Sequence, residues 1–185
     1  LSRINTLRVT KTFWGLDSKL AYARHYPAIN WLTSYTLYTD NIENYLKTEI
    51  AEDYPTIRNE AMDILQQEAK LQELVRLVGA DSLSAREQLL LIVSKSIRED
   101  FLFQNAFDAE DARTPLKKQY WMLKCIMSIY YAAKELTGNE SFDIDALKNH
   151  ELIQEVARVK DIAPEDEDKF QALIDKIHSE VQKLS

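Results

Sequence analysis

From Asn41 onward, prolines stand where helices would begin and glycines where they would end. This punctuation restricts the chain to a string of helices. Tyr54-Pro55 closes a helix predicted over 41–53, and Pro55 suits the first turn of the next, which runs to Val78 and stops at Gly79. Pro115 opens a long helix over 116–137, with Gly138 in the C-cap place, and Pro164 begins the last helix, which ends near Leu184. Between Pro55 and Gly79, the apolar residues Ile57, Ala61, Ile64, Leu65, Leu71, Leu74, Val75 and Val78 recur mostly at three- and four-residue spacing, which makes one buried stripe. Ser84-Ala85-Arg86-Glu87 is a capping box that opens a helix reaching about Phe103. Asp143 or Asp145 caps a short helix near His150. The 116–137 helix carries Trp121, Leu123, Ile126, Met127, Tyr130, Ala133 and Leu136, the composition of the central member of a bundle. The predicted fold class is mainly α, a helical bundle with a short N-terminal remnant of one strand and an aromatic loop.

The N-terminal part reads differently. Residues 6–14 (TLRVTKTFW) partly alternate apolar and polar, which predicts a strand. A lone strand needs a neighbour for its backbone groups. It therefore pairs with something in the helical part or belongs to a sheet with further strands. A short helix follows over 17–24, with Asp17 or Ser18 as N-cap. The stretch 13–38 holds seven of the chain's eighteen aromatic residues, and Tyr26-Pro27 lies in a loop that the proline stiffens. A ring held this way suits stacking on a flat partner. The plainer alternative is that Tyr26 and Trp31 cap a core.

Composition narrows the function classes. The 185 residues suffice for one good-sized core, or a domain with an appendage, and no apolar run approaches the roughly 20 residues of a membrane span. A net charge of −7 argues against nucleic-acid binding. Basic residues prevail over 1–35 and acidic ones over 139–185, a polarity that suits a solvated surface. The single cysteine, Cys125, excludes an internal disulfide, and the default compartment is cytosolic. The first residue is Leu1 and not Met, which fits a piece of a longer polypeptide.

Gly15, Gly79 and Gly138 are too far apart, and none is followed by Lys-Ser/Thr, so no phosphate-cradling P-loop is present. His25, His150 and His178 are too scattered to suggest a metal site. Glu165, Asp166, Glu167 and Asp168 are best read as favouring the positive end of a helix dipole. No catalytic residue and no metal ligand is assigned.

Three motifs in order, FWGLDSKLAYARHYPAINW, LVGADSLSAREQLLL and SIREDFLFQNAFD, resemble the catalytic A subunit (alpha chain) of V-type and archaeal A-type rotary ATPases, from the end of its nucleotide-binding domain into its helical C-terminal domain. The resemblance implies that residues 1–38 are the edge of the nucleotide-binding domain and 39–185 the helical domain. It implies an ATP synthase or ATPase coupled to ion transport. MgATP or MgADP would be bound in the intact subunit, with none expected on this chain alone, which should not hydrolyse ATP. The adenine-stacking rings fall on Tyr26 and Phe107, with Phe101 as a further wall. Tyr26 stands where phenylalanine is usual, while Ala23 and Phe103 replace a frequent arginine and a frequent glutamine. Asp81, Ser82, Leu83, Ser84, Ala85, Arg86 and Glu87 fall where F-type β subunits touch the rotating shaft, although a plain capping box also accounts for that segment. Implied partners are the central-stalk subunits and the non-catalytic B subunit, in a soluble head peripheral to the membrane. There is no nucleic acid and no direct membrane insertion, and the chain alone is expected to be a monomer. The alternative from another class is a stand-alone helical protein-interaction adaptor.

Overall fold

The computed structural model describes residues 10–79, 83–105, 107, 108 and 111–185. A two-stranded ribbon comes first. Strand β1 (Thr12–Leu16) pairs antiparallel with β2 (Ile29–Thr36), and α1 (Ser18–Tyr22) lies between them. The helices then follow: α2 (Thr39–Tyr45), α3 (Tyr54–Val78), α4 (Ala85–Ser96), α5 (Leu116–Ala133), α6 (Ile144–Lys148), α7 (Glu151–Ala157) and α8 (Glu167–Gln182). Two of them end in a π-turn segment, α2 through Leu46–Ile50 and α4 through Ile97–Leu102.

The ribbon corrects the expectation of a single strand. The strand partner is the aromatic stretch itself, and the part of the predicted strand at residues 6–9 lies outside the described residues. The register runs Thr12 to Thr36 and Phe13 to Tyr35, then shifts so that Gly15 faces Asn30. The surplus residues of β2 form a bulge whose backbone is served by side chains. Asn30 Oδ1 accepts from the N–H groups of Leu32 (2.9 Å) and Thr33 (3.1 Å), and Ser34 Oγ accepts from Gly15 N–H (3.0 Å). A Cβ on Gly15 would lie 2.5 Å from Thr33 Oγ1, so the close approach of the two strands requires glycine there. Asp17 caps α1 as expected, accepting from Lys19 N–H at 2.8 Å, and its other carboxylate oxygen accepts from Asn30 Nδ2 at 2.8 Å. One aspartate thus ties the helix cap to the bulge.

In the bundle, Pro55 sits in the first turn of α3 and Gly79 ends it with φ of 87°. Ile57, Ala61, Ile64 and Leu65 of α3 are buried as a stripe. The central helix is α5. Eleven of its eighteen residues are buried, so it must be covered on more than one side. Leu123, Ile126, Met127 and Ile129 belong to the main core with α3 and α4, while Met122 and Cys125 face Phe170 and Ile174 of α8. Trp31 of β2 packs against the main core, which seats the ribbon on the bundle.

Three helix ends differ from the sequence reading. The 116–137 helix stops at Ala133 and the chain continues through a 3₁₀ turn at Leu136–Gly138. The single short helix near His150 is two: Asp143 caps α6 by accepting from Ala146 N–H (2.8 Å), and the His150 ring caps α7 by accepting from Leu152 N–H (3.3 Å). The last helix begins at Glu167 and not at Pro164.

Candidate functional site

The loop from α1 to β2 is built by local backbone bonds. Arg24 takes the left-handed conformation (φ 57°), His25 N–H donates to Leu20 O at 2.9 Å, and the Tyr26–Pro27 peptide is cis. Asp17 N–H closes the base of the loop on Ala28 O at 3.0 Å. The Tyr26 ring is left half exposed.

A second segment, described at residues 103–105, 107, 108 and 111–114, meets this one. Gln104 N–H donates to Tyr26 O at 2.7 Å, which joins positions far apart in sequence. The loop is folded on Asp111, whose Oδ2 accepts from Asn105 N–H (2.5 Å) and whose carbonyl accepts from Gln104 Nε2 (3.4 Å). Asn105 Oδ1 then accepts from Phe107 N–H at 3.0 Å, an Asx turn that carries the Phe107 ring fully into solvent. Two exposed aromatic rings therefore belong to loops joined by one backbone bond. Burying an aromatic ring is favourable, so a fully exposed phenylalanine on a hydrogen-bonded loop stands available to a flat partner that covers it. Phe101 differs, being half-buried against both parts of the core, which leaves less of its face free.

His25 holds the two loops to the bundle. Its Nε2 lies 3.1 Å from Arg98 O and its Nδ1 3.3 Å from Pro27 O, while Trp31 and Phe103 flank the ring with centroids at 5.6 and 5.3 Å. Arg98 is itself anchored: Nε donates to Glu68 Oε2 (3.1 Å) and Nη2 lies 2.9 Å from Glu68 Oε1, with Glu68 buried. Sequence reasoning missed Arg98 and Glu68 because thirty positions separate them and each reads as an ordinary helix-surface charge. Beneath the Phe107 loop lies a polar cavity of about 110 Å³, lined by Asn105, Asp111, Thr114, Lys118 and Lys160 among others, and Lys118 is buried there.

Of the segment 81–87, Asp81 and Ser82 lie outside the described residues. Leu83 is buried, and the capping box is complete: Ser84 N–H donates to Glu87 Oε2 (2.8 Å) and Glu87 N–H to Ser84 Oγ (3.3 Å). The hydrogen bonds from the Ser84 hydroxyl and backbone hold the Glu87 carboxyl below its ordinary range. Arg86 is exposed and, among the described residues, has no ion-pair partner. Beside this segment, a cleft of about 600 Å³ opens between α4, α6 and α7, with an apolar floor of Leu83, Leu91, Ile92 and Ile153 and with Lys95 and Lys148 at its edge.

Among the described residues, no group of three or more His, Cys, Asp or Glu could hold a metal ion. Burial pushes the Cys125 thiol up to about 12, which makes it a core residue and a poor nucleophile. No described helix is long and apolar enough to cross a membrane.

Comparison with known proteins gives a consistent result. The family described as the C-terminal domain of V and A type ATP synthase matches residues 43–143. The V-type ATP synthase alpha chain of Thermoanaerobacter pseudethanolicus is 48% identical over 178 residues, covering 96% of this chain and 29% of the relative. The A subunit of the A-type ATP synthase of Methanopyrus kandleri is 46% identical over 181 residues, covering 97% of this chain and 30% of its own. A V-type ATP synthase alpha chain of Clostridium perfringens is 44% identical over 180 residues, again 97% of this chain and 30% of the relative. The chain spans less than a third of the length of these relatives.

Proposed function

Because this chain belongs to the family of C-terminal domains of V and A type ATP synthases, we propose that it works as the C-terminal part of the catalytic subunit of an ion-translocating rotary ATP synthase or ATPase. Residues 1–38 form the edge of the nucleotide-binding domain and 39–185 the helical domain. Tyr26 and Phe107 hold the adenine ring of MgATP between them. The observation that carries this reading is the bond from Gln104 N–H to Tyr26 O, which joins the two loops whose rings are left uncovered. Stacking needs only a π-face and contributes about 1–3 kcal/mol per ring in single-strand binders, so it positions the nucleotide without supplying chemistry. The phosphates and magnesium belong to the rest of the subunit, and this chain alone does not hydrolyse ATP.

The ribbon's outward side chains Trp14, Leu16, Tyr22 and Leu37 are strongly exposed, and they are the surface that rests on the remainder of the nucleotide-binding domain. Segment 81–87 meets the central stalk, so closure on nucleotide moves the helical domain as a lever. Its partners are the stalk subunits and the non-catalytic B subunit. The test is Phe107→Ala in the intact subunit. The expected result is a rise in KM for ATP of at least about fivefold, the lower end of one lost stacking contact. Unchanged affinity and turnover would remove the assignment.

A further inference from the structure

We propose that His25 is a positioning residue for the base site, holding the Tyr26 loop on the bundle by donating its Nε2–H to the carbonyl of Arg98. The inference rests on the reading above, in which Tyr26 receives the base. A ring nitrogen satisfies a carbonyl only as N–H, and a proton on Nε2 serves the nearer oxygen, 3.1 Å to Arg98 O against 3.3 Å from Nδ1 to Pro27 O, and the one that lies across the seam between loop and bundle. The acceptor is well placed for a fixed clamp. Arg98 lies in the π-turn segment, and its carbonyl also accepts from Phe103 N–H at 3.0 Å. Its guanidinium makes two bonds to the buried Glu68 of α3, which ties this turn of the segment to α3. Trp31 and Phe103 flank the imidazole.

The consequence is that three elements hold one loop. Glu68 fixes Arg98, Arg98 fixes His25, and one residue on from His25 the Tyr26 carbonyl receives Gln104 N–H from the Phe107 loop. Without the clamp, the Tyr26 end of the loop would keep that last bond and the packing of Trp31 on the core, but would lose its hydrogen bond to the bundle. The base would then meet two loops freer to separate, and binding would include the entropy of bringing them together. His25 touches neither phosphate nor reacting atoms in this reading, so its loss weakens binding more than turnover.

The test uses the intact subunit in its assembled complex, with ATP as the probe, together with amide hydrogen exchange at Gln104. His25→Leu removes the donor and keeps the bulk. His25→Gln returns an amide N–H at the reach of Nε2. The Leu variant is expected to raise KM for ATP and speed Gln104 exchange, each by about tenfold, with kcat within about twofold, and the Gln variant to restore both. Should the Leu variant fail to assemble, His25→Asn, whose amide is too short to reach Arg98 O, replaces it. Unchanged Gln104 exchange in the donor-less variant overturns the clamp. Faster exchange with unchanged KM, where Tyr26→Ala does raise KM, overturns the positioning role and leaves the base site standing. If Tyr26→Ala also leaves KM unmoved, the base-site reading fails and the positioning role falls with it.

Discussion

Single side chains decide two features of this molecule, and Arg98 bears on both. It closes a bidentate pair with Glu68, and its backbone carbonyl receives His25. Glu68 also accepts from Gln72 Nε2 at 2.9 Å, so removing the arginine leaves a buried carboxylate with one neutral donor. Breaking a buried pair from one side costs about 3–5 kcal/mol, more than the pair contributes relative to an apolar replacement of both partners. Arg98 is partly exposed and Glu68 keeps Gln72, so Arg98→Ala should destabilise the chain by less than that range, about 1–3 kcal/mol in urea unfolding. Replacing both residues, Glu68→Leu with Arg98→Met, should restore much of that loss. If the double variant were no more stable than the single one, the pair would not be the source.

Among the elements, the ribbon is the most exacting. Its bulge depends on Gly15, because Thr33 Oγ1 occupies the place of a Cβ, and on Asn30 and Ser34, which serve its backbone. Gly15→Ala should loosen β1 from β2 at a cost of about 1–3 kcal/mol, the usual range for overpacking, seen as faster amide exchange at residues 13–16 while the bundle helices keep their protection. Unaltered exchange in the ribbon would show that Thr33 yields without cost. This element also shows where the sequence is hard to read. Strand β2 has polar Asn30 and Ser34 among its aromatics because the bulge uses their side chains as hydrogen-bond partners, so strict alternation is broken and the stretch reads as a loop. Helix α7 escapes the sequence reading for a related reason: its N-cap is His150, whose ring nitrogen does the work usually given to Ser, Thr, Asp or Asn. The elements that are legible carry their own boundary signals. Asp17, Pro55, Gly79 and the Ser84–Glu87 capping box all act where the sequence places them. At the site, the resemblance singles out Tyr26 and Phe107, but nothing local to either residue announces the Gln104 bond, which is a long-range product of packing.

For the molecule as a whole, stability rests on α5 being enclosed by α3, α4 and α8, and Cys125 reports on that enclosure. Its thiol is pushed from 9.0 to about 12 by burial. Above pH 9 the unfolded chain therefore releases this proton while the folded chain keeps it. The unfolded state then binds fewer protons, and stability falls as pH rises, starting near about pH 8 and steepening to about 1.4 kcal/mol per pH unit above about pH 10 from this group. Between pH 9 and 10 the hydroxyls of Tyr54, Tyr120 and Tyr131, which burial also raises from 10.0, contribute equally in both proteins, so Cys125→Ala should flatten the decline in Tm by the thiol's share alone. An equal slope in both proteins would mean that α8 does not seal α5 as described.

The same enclosure packs α3, α4, α5 and α8 into one bundle. In the proposed subunit it carries Phe107 at one place and the 81–87 segment at another, so that nucleotide binding and contact with the stalk act on one body. The central claim is that this chain receives the adenine ring, and photolabelling tests it most directly. Azido-adenine ATP would be bound to the assembled enzyme, irradiated, and the labelled peptides sequenced. The account predicts covalent label on Tyr26 or on the peptide containing Phe107, abolished by excess ATP. Competable label found only in peptides outside this chain would contradict it.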